Sequence, residues 1–320
     1  MKEFFNLMGW KNLLIVFFAL IIIRISIVIP FYAQHMLPDS ITWDYYLMYA
    51  FGIVFMLAGN NVATKFFSER YKVQKLSGNI NLNIKDYPDL VRFRGVWLVL
   101  SFVGLVSVVW AGVMTDNLYF IILACLVLML GYTYASVTRH KFLLGNLSLA
   151  VTHSAIIMSV LPNISKVSGF DNYIPAPGTV LYSDIIMMFC FIAAMVFILT
   201  LIWDITGDVT NIKDDYRDNF QTVATVLGEK KCKNLLYSLS ALFILLTCIF
   251  TYIYYPGLGV IQSVTVLLIV AIPMIYCIFE LRRASVAEEY DFLYTFLGMI
   301  FISILFLIYF CKYIFINGRI

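Results

Sequence analysis

Thr200-Leu201-Ile202-Trp203-Asp204-Ile205-Thr206-Gly207-Asp208 closes an apolar run that begins near Val180 and sets two carboxylates at its mouth. On a helix, residues four apart stand one turn apart on the same face, so Asp204 and Asp208 share a stripe. Carboxylates so spaced suit a hard cation such as Mg²⁺, which binds through one or two of them and leaves positions open for phosphate oxygens. The same spacing also suits a plain helix end where the chain meets water, since acids there cost little. A mixed-charge segment follows, Lys213-Asp214-Asp215-Tyr216-Arg217-Asp218, and then Thr222-Val223-Ala224-Thr225-Val226-Leu227-Gly228.

The composition places this greasy run among many like it. The 320 residues are 62% hydrophobic and 13% charged, with a mean hydropathy of +0.89. A soluble domain carries about 25% charge, so the chain is a polytopic membrane protein. Apolar runs near 13–31, 43–59, 96–114, 118–137, 142–161, 180–203, 235–255, 260–279 and 292–314 approach the length that crosses a hydrocarbon core of roughly 30 Å. The second is short unless it continues through Asn60 and Asn61. Backbone polar groups in lipid must be satisfied within their own segment, and the runs are too long and unbroken for barrel strands. The expected fold is all-α, nine transmembrane helices in a single bundle, with one domain over residues 1–320.

Lys and Arg set the orientation. With the N-terminus cytoplasmic, 18 of them fall on the inside and only Lys166, Lys312 and Arg319 outside, a strong positive-inside bias. The loops 60–95 and 204–233 are therefore expected in the cytoplasm and the C-terminus outside, in a multi-pass protein of the cell inner membrane. The first span carries Arg24 and lacks a small-residue cleavage site, so an uncleaved span is expected there rather than a signal peptide. The six cysteines, 125, 190, 232, 248, 277 and 311, are scattered without C-x-x-C or metal-ligand spacing, as small core residues would be. No nucleic-acid motif is present. No span is interrupted by paired Gly or Pro near its middle, which argues against a transporter.

Taken in order, the chain offers few other polar groups at membrane depth. Arg24 lies halfway along the first span, where a cation costs about 2.5–3.5 kcal/mol on insertion scales. It should face the interior, either contacting a polar substrate or serving as a structural hydrogen-bonding arginine. After span two, Asn61, Lys65 and Glu69 form one helical stripe and Asn60, Thr64 and Ser68 its neighbour, with Arg70 and Lys72 beyond. Gly78 should end that helix. These cations make either a solvated basic face or a polyanion site, because charge clustered at a membrane mouth focuses a field on incoming phosphates. After span four come Tyr132, Tyr134, Arg139 and Lys141, then Gly145-Asn146, which on their own read as an interfacial belt. His153, inside span five, is expected to be hydrogen-bonded to a neighbour. The loop 162–179, with Pro162, Pro175 and Pro177, reads as turns.

Together these residues resemble the UbiA superfamily of intramembrane aromatic prenyltransferases. Its members have nine helices and aspartate-rich motifs at the cytosolic ends of the second and sixth. Asp204 and Asp208 match the second motif, D-x-x-x-D, with the usual Gly207 before the last acid. Thr222, Leu227 and Gly228 match its downstream T-L-P-x-x-L-G segment, after a gap longer than in typical members. Tyr132 or Tyr134, Arg139, Lys141, Gly145 and Asn146 resemble the Tyr–Lys/Arg–Gly-Asn region after helix four. The first motif, normally N-x-x-x-D-x-x-x-D, has no aspartate: it reads Asn61, Lys65, Glu69 in one register and Asn60, Thr64, Ser68 in the other.

What the resemblance implies is a Mg²⁺-bridged prenyl diphosphate held between the two motifs and an isoprenyl group passed to a lipophilic, membrane-soluble acceptor. Asp204 and Asp208 would bind the metal and act in catalysis with Asn61 and Lys65, Lys65 placing a fixed cation where metal would otherwise neutralise diphosphate. Asn60, Glu69, Arg70, Lys72, Tyr134, Arg139, Lys141 and Asn146 would bind substrate. With its first motif altered, the alternative is a catalytically inactive relative that binds isoprenoid lipid without turnover.

Overall fold

Runs of Leu, Ile, Phe and Val satisfy their backbone only as helices in a membrane, and helix is what they form in the computed structural model, which describes residues 8–35, 41–78, 83–139, 141–161 and 180–317. Among these residues there is no strand. Eight helices among the described residues are long and apolar enough to cross a membrane: α1 Trp10–Gln34, α2 Trp43–Ser77, α3 Pro88–Met114, α4 Leu118–Thr138, α6 Tyr182–Thr210, α9 Glu229–Leu258, α10 Val260–Arg283 and α11 Ala287–Asn317. The expected fifth span, 142–161, is a shorter apolar helix, α5, Leu144–Met158. Two short helices, α7 Ile212–Asp218 and α8 Val223–Leu227, fill the charged segment after α6. The loop 162–179 with Lys166, and also His140 and Arg319, lie outside the described residues.

The helices group into two compact units, residues 1–17 with 41–139 and residues 18–40 with 140–320. The first holds α2, α3 and α4. Small residues bring α2 and α3 together: a Cβ on Gly52 would stand 2.6 Å from Val108 and 2.9 Å from the Gly104 carbonyl, and one on Gly104 would meet the Gly52 carbonyl at 2.6 Å. Lipid tails are as apolar as Leu, so such close backbone approach is a main source of association between membrane helices. Tyr49 stacks on Phe120 at 4.2 Å, tying α2 to α4. α2 does run on through Asn60 and Asn61, as span length required, and ends at Gly78 in the left-handed region, φ +64°, the usual helix stop.

In the second unit α6 is the central helix, packed against α5, α9 and α11 and the most buried of the eight spans. Trp203 stacks on Tyr294 of α11 at 4.7 Å and meets Phe301 edge-on at 6.2 Å. Arg24, in a π-helical turn of α1, is fully buried, as a cation at that depth must be. Asn317 donates to the Gly257 carbonyl at 2.6 Å, joining α11 to α9.

Candidate functional site

The C-terminal end of α6 divides its faces by chemistry. Trp203 and Gly207, one turn apart, face α11, where a Cβ at position 207 would stand 3.1 Å from the Tyr294 ring. The glycine before the second acid thus makes room for an aromatic ring. Asp204 and Asp208 face α5 instead, and both are half-buried.

Asn146 joins the two acids. From the first turn of α5 its Nδ2 donates to Asp204 Oδ2 at 2.8 Å and to Asp208 Oδ2 at 3.0 Å. An amide nitrogen offers two protons, and here one goes to each carboxylate. Two acid oxygens therefore converge on one point, although like charges one turn apart repel. The backbone of Val223, at the start of α8, also lies near Asp208, and Asp215 brings a third negative charge near it. α8 is held in place locally. Thr222 caps it, its Oγ1 accepting from the Thr225 N–H at 3.4 Å and donating to Asp215 Oδ2 at 3.1 Å. Tyr216 donates to the Thr225 carbonyl at 2.8 Å, and the Cys232 thiol of α9 to the Val223 carbonyl at 3.5 Å.

Of the expected substrate residues, then, Asn146 stands on the acid pair. Asp215 was not among the expected residues. Its signal was present, an acid two turns beyond Asp208 just ahead of Thr222, but it was masked by the mixed charges around it. Among the described residues no group of three or more His, Cys, Asp or Glu is arranged to hold a metal ion alone. The pair can supply two ligands, and that donor set suits a Mg²⁺ that takes its remaining oxygens from phosphate and water.

The α2 residues are arranged differently. Lys65 and Lys72 both pair with Glu69, at 3.0 and 3.3 Å, along the exposed side of their own helix. Asn61 donates to the Met8 carbonyl at 2.8 Å. Asn60 is buried against Gly131 of α4 and donates to the Val127 carbonyl at 3.3 Å. Arg70 is half-buried, with Nε sealed from solvent and without a hydrogen bond. Tyr134 opens a π-helical turn ending α4, its carbonyl accepting from the Arg139 N–H at 3.0 Å. Arg139 is half-buried and Lys141 exposed.

No family model matches the sequence, and no curated protein matches it. Solved structures do. A digeranylgeranylglyceryl phosphate synthase superposes with a TM-score of 0.62 at 18% identity, over 98% of each chain. A UbiA homologue from Aeropyrum pernix K1 gives 0.59 at 16% identity, over 90% of this chain and 94% of its own. A UbiA homologue from Archaeoglobus fulgidus, solved with GPP and Mg²⁺, gives 0.58 at 12%, over 96% of this chain and 99% of its own. By fold, this all-helical membrane protein is similar to these UbiA homologues.

Proposed function

We propose that the chain is an intramembrane prenyltransferase that moves an isoprenyl group from a prenyl diphosphate to a lipophilic acceptor. The observation that carries this reading is the convergence of Asp204 and Asp208 on the Asn146 amide, at the end of a central apolar helix. In the transfer the bond between allylic carbon and diphosphate oxygen breaks, its electron pair leaving with the diphosphate, while the acceptor forms the new bond to carbon. Asp204 and Asp208 would hold Mg²⁺ together with the diphosphate. When bound, the ion supplies the positive charge that stabilises the leaving group. Asn146 keeps the two carboxylates aimed at one point. Arg70, whose buried Nε makes no hydrogen bond, is the α2 cation to which this reading gives the anion. The resemblance adds Asn61, Lys65, Glu69, Lys72, Tyr134, Arg139 and Lys141 as further substrate contacts, and the Lys and Arg bias gives an orientation with the N-terminus cytoplasmic. A cytoplasm-active reporter fused after Gly318 should accordingly stay silent.

A second reading, a UbiA-like protein that binds isoprenoid lipid without turnover, draws support from the α2 motif, where Glu69 occupies both Lys65 and Lys72. Purified protein incubated with labelled prenyl diphosphates, Mg²⁺ and pooled lipophilic acceptors separates the two. Transfer predicts labelled lipid product and free diphosphate. Mg²⁺-dependent binding without diphosphate release would leave the non-catalytic reading, and no binding would defeat both.

A further inference from the structure

α3 is the least buried of the eight spans. Its apolar run turns Val99 and Phe102 outward, at 61% and 67% exposure, and Val106 and Val113 continue the same stripe. In a membrane such a stripe is covered by lipid tails, which are as apolar as the side chains they meet. Arg92 precedes Val99 by seven residues, which sets it within about 20° of that stripe and about 10 Å toward the helix start. Arg94 follows it, and Lys85 sits in the short turn Ile84–Asp86 that leads into α3. All three cations are exposed, and none makes an ion pair among the described residues. The acids beside them have local roles. Asp86 accepts from Asn83 Nδ2 at 3.2 Å, and Asp89 lies in the first turn of α3, where the helix dipole favours a negative charge.

Between the cations and the apolar run stands Gly95. The other glycines inside α2, α3 and α4 serve packing: a Cβ on residue 52, 59, 104, 112 or 131 would stand 3.0 Å or less from a neighbour, whereas one on Gly95 would meet no described atom within 4 Å. Glycine weakens a helix, and at this position no packing offsets the loss. Gly95 is exposed, one turn from Arg92 and one turn from Val99. It therefore leaves a notch of bare backbone where the hydrocarbon run gives way to charge. Close helix pairs need small residues one turn apart, and Val99 is bulky, so the notch is poorly made for a second helix. A phosphate suits it better, because a guanidinium offers that group two parallel N–H donors.

We propose that the notch at Gly95 binds an anionic phospholipid, with its phosphate on Arg92 and its acyl chains along Val99 and Phe102. Arg94 and Lys85 set the preference: they repel the ammonium of a zwitterionic headgroup and not an uncharged glycerol. Lipid recognition here does not depend on the prenyl-transfer reading.

The test offers full-length protein in detergent equal concentrations of dioleoylphosphatidylglycerol and dioleoylphosphatidylcholine, and native mass spectrometry reads the bound lipid. Wild type should hold phosphatidylglycerol over phosphatidylcholine by about tenfold. Arg92→Gln should cut that preference about fivefold, the scale of one cation at a lipid surface. Gly95→Leu should cut it as far with every charge in place, which general attraction to anionic lipid would not do. Equal binding of the two lipids by wild type would overturn the proposal, as would a preference that survives Gly95→Leu. Should Gly95→Leu fail to fold, Arg92→Gln decides, and an unchanged preference there overturns it. Displacement of the lipid by inorganic phosphate at equal concentration would make this a free-anion site and overturn it too. So would a wild-type dimer that Gly95→Leu dissociates, which would give the notch to a second copy.

Discussion

Two long apolar helices carry charge toward their C-terminal ends, α2 at Lys65, Glu69 and Lys72 and α6 at Asp204 and Asp208, and the two are built in opposite ways. On α2 the charges answer one another within the helix, at spacings of four and three residues, on a side where Lys65 is nearly half exposed. Pairs of that kind are worth about 0.3–0.5 kcal/mol and exist in any isolated helix. On α6 the charges are alike, and their partner arrives from α5, 58 and 62 residues earlier in the chain. The first arrangement lowers the charge a ligand would meet. The second concentrates charge, and the fold holds it there with one amide. A helix end that merely faced water would not need that amide.

The largest expected effect breaks the α6 arrangement. Asp204→Asn and Asp208→Asn each remove a full negative ligand and almost no volume. Each should cut Mg²⁺-dependent binding of labelled geranyl diphosphate by about a hundredfold or more, the scale of a lost charge-assisted contact, while the melting temperature holds. Binding that survives both changes would reduce the pair to a helix end.

Asn146→Asp sharpens the same point. It replaces a double donor with a third carboxylate, so without metal the protein should lose about 1–3 kcal/mol, the cost of unsatisfied and repelling buried groups. Millimolar Mg²⁺ should then raise the melting temperature of Asn146→Asp more than that of wild type. An equal metal response in both would mean that the acids do not share a cation.

On α2 the expected effects are smaller and ranked. Arg70→Met should weaken diphosphate binding by about tenfold, the loss of one charge-assisted hydrogen bond. Lys65→Met should change it less than about threefold, because Glu69 already neutralises much of that charge. The opposite ranking would return the leading role to Lys65, where the sequence alone had placed it. Smallest of all, Glu69→Ala should cost about 0.5 kcal/mol in stability, read by urea denaturation in detergent. A loss several times larger would make the α2 charges part of a tertiary contact.

Much of this was legible in the sequence because it depends on neighbours along the chain. Hydrophobic length and the demand for internal backbone hydrogen bonds determined an all-helical membrane protein. The polar run after Asn60 continued its helix to Gly78 because nothing before that glycine stops one. The spacing of Asp204 and Asp208 put both acids on one stripe, and the order of motifs pointed to the UbiA fold. The tertiary structure alone decided which stripe meets what. That Asn146 bridges the acids, that Asp215 and Thr222 brace α8 beside them, that Asn60 is spent on packing against Gly131, and that His153 meets Thr200 are contacts between separate segments. Helical periodicity tells which residues share a face. The partner of that face is chosen by packing between helices distant in sequence, and no local pattern encodes it.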